Sequence, residues 1–264
     1  MPTTADLDLG TYERDGFVRH PRFTDPTVGA AMQADVVSLV RAAHRDGAAP
    51  DGVLIAPESQ DGFEGTEPED LISKVFTLHE RPAFAHFLHD RRIGEVLRRL
   101  VGPDVDCFLS QFIFKNPGAW GQPWHQDSFY FPFEPARPIV GLWLAVTEAT
   151  LENGCLHVLP QSHREPVHEH VPDARPGANY GYVEIVDHDM SGSEPVLMAP
   201  GDLLVFDSHL MHRSTDNRSD GIRAAMVFHC CAAGTVDHGI EAGGGEPSPV
   251  HHFTPLLRNG RLLG

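Results

Sequence analysis

Residues 139–163 read IVGLWLAVTEATLENGCLHVLPQSH. A run rich in Ile, Val and Leu ends at Thr147, a turn signal follows at Glu152-Asn153-Gly154, and a second short apolar run closes on Pro160. Such short runs between turn residues predict strands. The pattern extends both ways: CFLSQFIFK (107–115) precedes it, and PVLMAPGDLLVFDS (195–208) and IRAAMVFHC (222–230) follow. Asn116-Pro117-Gly118 and Pro200-Gly201-Asp202 supply further turn chemistry.

The chain before residue 104 reads differently. Asp25-Pro26 predicts an N-cap with proline in the first turn. Met32, Val36, Leu39, Val40 and Ala43 follow at helical spacing, with Gly47 as the stop. A second helix is predicted from Pro82, with Phe84 and Phe87 or Leu88 inward. A third is capped by Asp90 and runs through Ile93, Val96, Leu97 and Leu100 to Gly102, with Arg91, Arg92, Arg98 and Arg99 on a solvated face. Residues 50–70, rich in Gly, Pro and acid, predict a loop near the mouth of a site. Helices followed by strands imply a mainly β fold, a sandwich or barrel buttressed by helices. One domain over 1–264 is expected, with a helical buttress at about 25–102, a β core at about 104–232 and a C-terminal extension at about 233–264 that carries a flexible glycine run.

Composition narrows the function classes. The 37 acidic and 20 basic residues give a net charge of −17, which repels phosphate backbones and argues against nucleic acid. The four cysteines form no CxxC pair, so neither a zinc ribbon nor a thioredoxin-type site is indicated. The acidic N-terminus MPTTADLDLG does not read as a signal peptide, and no apolar stretch reaches the ~18 residues of a membrane span. A cytoplasmic protein without membrane partners is expected, as monomer or homodimer.

WHQDSFYFPF (124–133) holds a histidine and an aspartate two apart. A second pair of that spelling, His44 and Asp46, falls on the first predicted helix, where residues i and i+2 diverge by about 200°. His125 and Asp127 lie in a strand-like segment, where i and i+2 share a face. Two imidazoles and one carboxylate on one face suit Fe(II) and leave positions open for a co-substrate and O2. FDSHLMHRS offers His209 and His212 for the third ligand. Three apart, they point to opposite faces of any strand. Arg223 favours His212, because a hairpin through TDNRSDG would return it beside that residue. Arg223 alternates with Ala225 and Val227, so it should face an apolar interior and need a carboxylate partner, which 2-oxoglutarate supplies. His168-Glu169-His170, in a charged, proline-flanked stretch, is expected to be a solvent loop.

At these residues the chain resembles the phytanoyl-CoA dioxygenase family of Fe(II)/2-oxoglutarate oxygenases, from about residue 15 to 229. The likeness is densest in HQDSFYFPF, LWLAVTEATLENGCLHVLPQSH and PGDLLVFDSHLMHRS with its following arginine. The resemblance implies a double-stranded β-helix, or cupin-like jelly roll, flanked by helices. It implies iron bound by His125, Asp127 and His212, and 2-oxoglutarate bound by Arg223 with Ser214 nearby and with Lys74, Gln111 and Trp143 around it. Gln126, Phe129, Phe131 and Phe133 are candidate substrate-pocket residues. The implied reaction is hydroxylation of an unactivated C–H bond of a small molecule (a secondary metabolite, an amino acid or an acyl derivative), with release of succinate and CO2. Related halogenases replace the carboxylate with a small residue, so Asp127 disfavours halogenation. The competing reading is a cupin-like metal protein with an isomerase, hydrolase or ligand-binding role.

Overall fold

A computed structural model describes residues 8–58, 60–178, 181–239 and 246–263. The start of the N-terminal stretch (1–7) and the glycine run at 243–245 lie outside the described residues. Among those described there are four α-helices: α1 (Leu9–Asp15), α2 (Pro26–Asp46), α3 (Pro82–Leu88) and α4 (Arg91–Leu100). The three expected helices form, α2 and α4 with their side-chain caps. The Asp25 carboxylate accepts from the Thr27 backbone N–H at 2.9 Å, Gly47 closes α2 in the left-handed region at φ 75°, and Asp90 accepts from the Arg92 N–H at 2.8 Å. The short α1 was not read from the sequence: it buries only Tyr12, although Asp8 caps it and Gly16 closes it in the left-handed region.

The strands in chain order are β1 (Phe17–His20), β2 (Leu54–Pro57), β3 (Ile72–Phe76), β4 (Val105–Lys115), β5 (Phe133–Glu134), β6 (Ile139–Ala145), β7 (Leu156–Val158) and β8 (Val171–Pro172). They continue with β9 (Val183–Glu184), β10 (Glu194–Val196), β11 (Leu203–Asp207), β12 (His212–Ser214), β13 (Arg223–Ala232), β14 (Val236–Asp237), β15 (Thr254–Arg258) and β16 (Arg261–Leu262). The main sheet runs β1-β11-β6-β13-β4-β15-β16, and β3 and β2 extend it from β4. Opposite it stands a small sheet, β10-β7-β12. The paired strands are antiparallel, and the architecture is the expected mainly β jelly roll with helices on one side.

The two-residue strand period sorts the side chains. Val140, Leu142 and Leu144 of β6, Leu203 and Val205 of β11, and Ala224, Met226 and Phe228 of β13 pack with Met32, Val36, Leu39, Phe84, Phe87, Ile93 and Leu97 of the helices. The alternate positions, Trp143, Leu204, Phe206, Ala225 and Val227, form the jelly-roll interior with Val158 and Val196 of the small sheet. Burial of both layers drives folding, at about 25 cal/mol per Å² of apolar surface.

Three local expectations change. The 50–70 segment is not all loop: Leu54–Pro57 is β2 and pairs with β3, a short apolar run that its Gly- and Pro-rich surroundings obscured. His125 and Asp127 do not share a strand. His125 forms an isolated bridge with His212, and Asp127 opens a 3-10 turn, Asp127–Tyr130. Arg223 does not return on a hairpin beside His212, because β12 pairs with β7 in the small sheet while β13 pairs with β4 and β6 in the main one. No helix among the described residues is long and apolar enough to cross a membrane.

Candidate active site

The isolated bridge sets the site. The His125 N–H donates to the His212 carbonyl at 2.9 Å, and the His212 N–H to the His125 carbonyl at 3.0 Å, which brings the ring centroids within 4.2 Å. Nδ1 of His125 lies 2.8 Å from the Pro123 carbonyl, and Nδ1 of His212 lies 2.9 Å from the Leu210 carbonyl. A carbonyl only accepts, so each Nδ1 carries the proton and each Nε2 presents a lone pair. Both Nε2 atoms face Asp127 Oδ1, at 3.4 and 3.7 Å. One ligand atom from each of the three residues fits within a 4.8 Å cluster, the donor set expected of a divalent-metal site. Burial, with His125 adding to it, lowers the His212 pKa to about 4, so its ring is neutral and able to ligate at neutral pH. Burial alone would raise the Asp127 pKa, but the histidines gathered around it, with the His229 hydrogen bond among them, outweigh burial and hold the carboxyl well below its usual range.

His229 fixes that carboxylate. Its Nε2 lies 2.8 Å from Asp127 Oδ2, which leaves Oδ1 turned to the histidines. A histidine holding the far oxygen of a ligating carboxylate tunes both its orientation and its basicity. The ring of Phe206 stands between, with centroids 5.3 Å from His212 and 5.9 Å from His229. Gly141 makes room for Phe206, because a Cβ at that position would lie 2.3 Å from the ring.

At the other end of the cavity lies Arg223, 2% exposed. Its Nε and Nη1 have no hydrogen-bond partner among the described residues. Its guanidinium sits 5.8 Å from the Trp143 ring centroid. Burial pushes its pKa down to about 10, with Cys155 and Tyr182 pulling upward. A desolvated guanidinium without a partner costs several kcal/mol, so an anion entering the cavity is strongly favoured there. Lys115, paired with Arg223 across β4 and β13, donates to Ser214 Oγ and to the Thr215 carbonyl, each at 2.7 Å. Burial, and Arg223 beside it, hold its pKa well below the usual lysine range.

The remaining sequence candidates divide. Lys74, Gln111, Trp143 and Ser214 line the cavity with the triad and Arg223. Lys74 donates to Gln122 Oε1 at 3.3 Å, and the Gln122 amide lies 3.0 Å from His125 Nε2, so Gln122 links the lysine to the triad. Phe131 lines an adjoining cavity that shares Lys74, Gln111, Gln122, Asp127, Tyr182 and His229 with the first. Phe133 packs in an aromatic cluster with Phe108 and Phe131. Phe129 is half-exposed and stacks on His170 at 4.3 Å. Gln126 is fully buried away from the cavity. Its amide donates to the Pro166 and His209 carbonyls, at 3.1 and 2.9 Å, and its Oε1 accepts from the His168 N–H at 2.8 Å. His209 is turned to the Glu165 carbonyl, 3.2 Å from its Nδ1, and takes no part in the triad.

Lys115, Gln122 and His229 were not singled out from sequence. His229 had a readable signal: it shares the two-residue period of Arg223, Ala225 and Val227.

Fold and site together define a jelly-roll protein in which a candidate two-histidine, one-carboxylate metal site and a buried arginine line one cavity. The chain belongs to the phytanoyl-CoA dioxygenase family, whose model, Phytanoyl-CoA dioxygenase (PhyH), matches residues 12–225. Phytanoyl-CoA dioxygenase domain-containing protein 1 of Bos taurus is 34% identical over 203 residues, covering 72% of this chain and 67% of that protein. The peroxisomal phytanoyl-CoA dioxygenase of Bos taurus is 32% identical over 167 residues; the match takes in 61% of this chain and spans 50% of that protein's length. EctD from S. alaskensis, solved with 2-oxoglutarate and 5-hydroxyectoine, shares the fold at a TM-score of 0.66 and 23% identity, over 94% of this chain and 86% of that one. The epimerase SnoN, solved with Fe3+, alpha ketoglutarate and nogalamycin RO, does so at 0.66 and 18%, over 90% and 91%.

Proposed function

We propose that this chain is an Fe(II)- and 2-oxoglutarate-dependent oxygenase that hydroxylates a C–H bond of a small molecule. The observation that carries the proposal is the buried Arg223 guanidinium, whose Nε and Nη1 have no hydrogen-bond partner among the described residues, in the same cavity as His125, Asp127 and His212. A metal with open positions at one end and a carboxylate receptor at the other suit a dicarboxylic 2-oxoacid. A cupin-like isomerase or binding module leaves that guanidinium unexplained.

His125, Asp127 and His212 would hold the iron, which when bound supplies the redox chemistry that consumes O2 and 2-oxoglutarate, releases succinate and CO2, and delivers one oxygen atom to the substrate. The protein's residues position and shield. The Pro123 and Leu210 carbonyls hold the two imidazoles in the ligating tautomer. His229 aims Asp127 Oδ1 inward. Arg223 binds the distal carboxylate of the oxoacid, while Lys115 and Ser214, bonded to each other, set the polar floor beside it. Trp143, Phe206 and Val227 exclude water from the wall between.

The adjoining cavity, about 320 Å³, is of the size a small substrate takes. Phe76, Leu109, Tyr130, Phe131 and Val250 give it an apolar face, and Asp127 and His229 bring it to the reacting centre. Incubation with a metabolite library under ¹⁸O2 tests the reading. Succinate release coupled to a product that carries one labelled oxygen is the expected result. Absence of succinate from iron-loaded protein across the library, together with no measurable 2-oxoglutarate binding, contradicts it.

A further inference from the structure

A second cluster of ligating side chains lies apart from the active site. His168 Nε2 and His188 Nε2 both face one oxygen, Glu165 Oε2, at 2.8 and 3.1 Å. The two rings stand at 89° with centroids 5.1 Å apart. The side chains are partly buried, at 25% and 20% relative exposure for the histidines and 38% for the glutamate. His188 has an unusual demand placed on it. Its Nδ1 lies 3.1 Å from the Asp189 carbonyl, and its Nε2 faces a carboxylate. With the Nδ1 proton donated to that carbonyl, Nε2 turns a lone pair toward the carboxylate, a contact that a cation between them makes favourable. A cation also accounts for the His168 Nε2 aimed at the same point.

We propose that Glu165, His168 and His188 form a second divalent-cation site, suited to zinc. Two imidazole nitrogens and one carboxylate oxygen are a zinc donor set, and the partial exposure leaves a fourth position to water. Ligand atoms around tetrahedral zinc stand about 3.3–3.5 Å apart, from bonds of about 2.0–2.2 Å. The separations of 2.8 and 3.1 Å therefore need to open by about 0.2–0.7 Å, within reach of side-chain rotation.

The position of the cluster gives the ion a role. Gln126, between His125 and Asp127, grips the segment that carries two of the three ligands. Its Oε1 accepts from the His168 N–H, its amide donates to the Pro166 carbonyl, and its own backbone N–H donates to His170 Nε2 at 3.1 Å. His188 comes from the segment whose Ile185 N–H donates to the Trp124 carbonyl at 2.8 Å. A zinc ion would cross-link these two segments where both are fastened to the 124–127 stretch that bears the iron ligands. It would act as a structural staple for the rim of the active site.

The test separates this site from the buried triad. Protein stripped with a chelator and carrying His125→Ala and His212→Ala is reloaded with Zn2+, and zinc is measured by elemental analysis and by competition with a chromophoric chelator. One retained equivalent is expected. Adding His168→Ala, His188→Ala or Glu165→Gln should weaken its binding at least tenfold. Zinc should also slow amide hydrogen exchange at 165–170 and 185–190. If the silenced protein retains no zinc, or retains it equally with the ligand variants, the proposal fails. If the multiple variants fold poorly, the comparison is made on the otherwise unaltered chain. Two equivalents falling to one in His188→Gln supports the site; an unchanged stoichiometry overturns it.

Discussion

The two ends of the active-site cavity are built in opposite ways. Arg223, Lys115, Trp143 and Gln111 stand on long strands of the main sheet, where β13 pairs with β4 from Arg223↔Lys115 to Ala232↔Val105 and with β6 from Ala225↔Ala145 to Cys231↔Ile139. The metal end rests on irregular backbone: an isolated bridge at His125, a 3-10 turn at Asp127, and the first residue of a three-residue strand at His212. It is held by local hydrogen bonds, Nδ1 to carbonyl and His229 to Asp127, in place of a ladder. The Arg223 end is thus fixed by the sheet, whereas the His125–Asp127–His212 end depends on individual side chains.

If that contrast is right, damage to each end should be separable. The largest effect is expected at the metal end. His212→Ala or Asp127→Ala should abolish retention of iron, read by elemental analysis of anaerobically loaded protein, while 2-oxoacid-dependent activity disappears with it. Arg223→Met comes next. It should leave iron bound, raise the 2-oxoglutarate concentration for half-saturation by at least about 100-fold, and raise the melting temperature of the apoprotein, because a buried charge without a partner has been replaced by a hydrophobe of similar volume. A lower melting temperature would show that the guanidinium contributes to stability and would break the contrast. His229→Leu should weaken iron binding about 10–100-fold, the usual cost of losing a group that orients a ligand, with little effect on 2-oxoglutarate once iron is saturating.

The smallest effect concerns neither end. His79, bonded to Ser110 Oγ at 2.8 Å and Thr254 Oγ1 at 3.0 Å, joins β4 to the C-terminal strand β15. Burial, and His252 beside it, lower its pKa from 6.5 to about 4. Between those values the unfolded chain takes up a proton that the native protein refuses, so stability declines as pH falls from about 6.5 to about 4. Melting temperature should drop by about 2–4 °C for each kcal/mol lost, and His79→Asn should flatten that part of the profile.

The same contrast explains what could be read from sequence. The anion end was legible because strands impose a period: Arg223 alternates with apolar residues and duly points into the interior. His229 obeys that period too and could have been found by extending it. The metal end was legible by motif, but the geometry argued for it was not the geometry present. His125 and Asp127 converge through a bridge and a turn, and His212 stands beside His125 through a two-residue backbone pairing that no local pattern announces. Gln122 stands three residues before His125, outside the two-residue spelling that drew attention to the motif, while Lys115 acts through Ser214, far along the chain. His168 and His170 read as a solvent loop for the same reason: the Gln126 clamp and the His188 contact are both long-range.

Anaerobic titration of the Fe(II)-loaded protein with 2-oxoglutarate tests the central claim most directly. A weak visible absorption band that grows to saturation at one equivalent, persists in His229→Leu and requires far more 2-oxoglutarate in Arg223→Met is the predicted result. Iron-loaded protein that develops no band, or a band with the same 2-oxoglutarate dependence in Arg223→Met as in the unaltered chain, would contradict it.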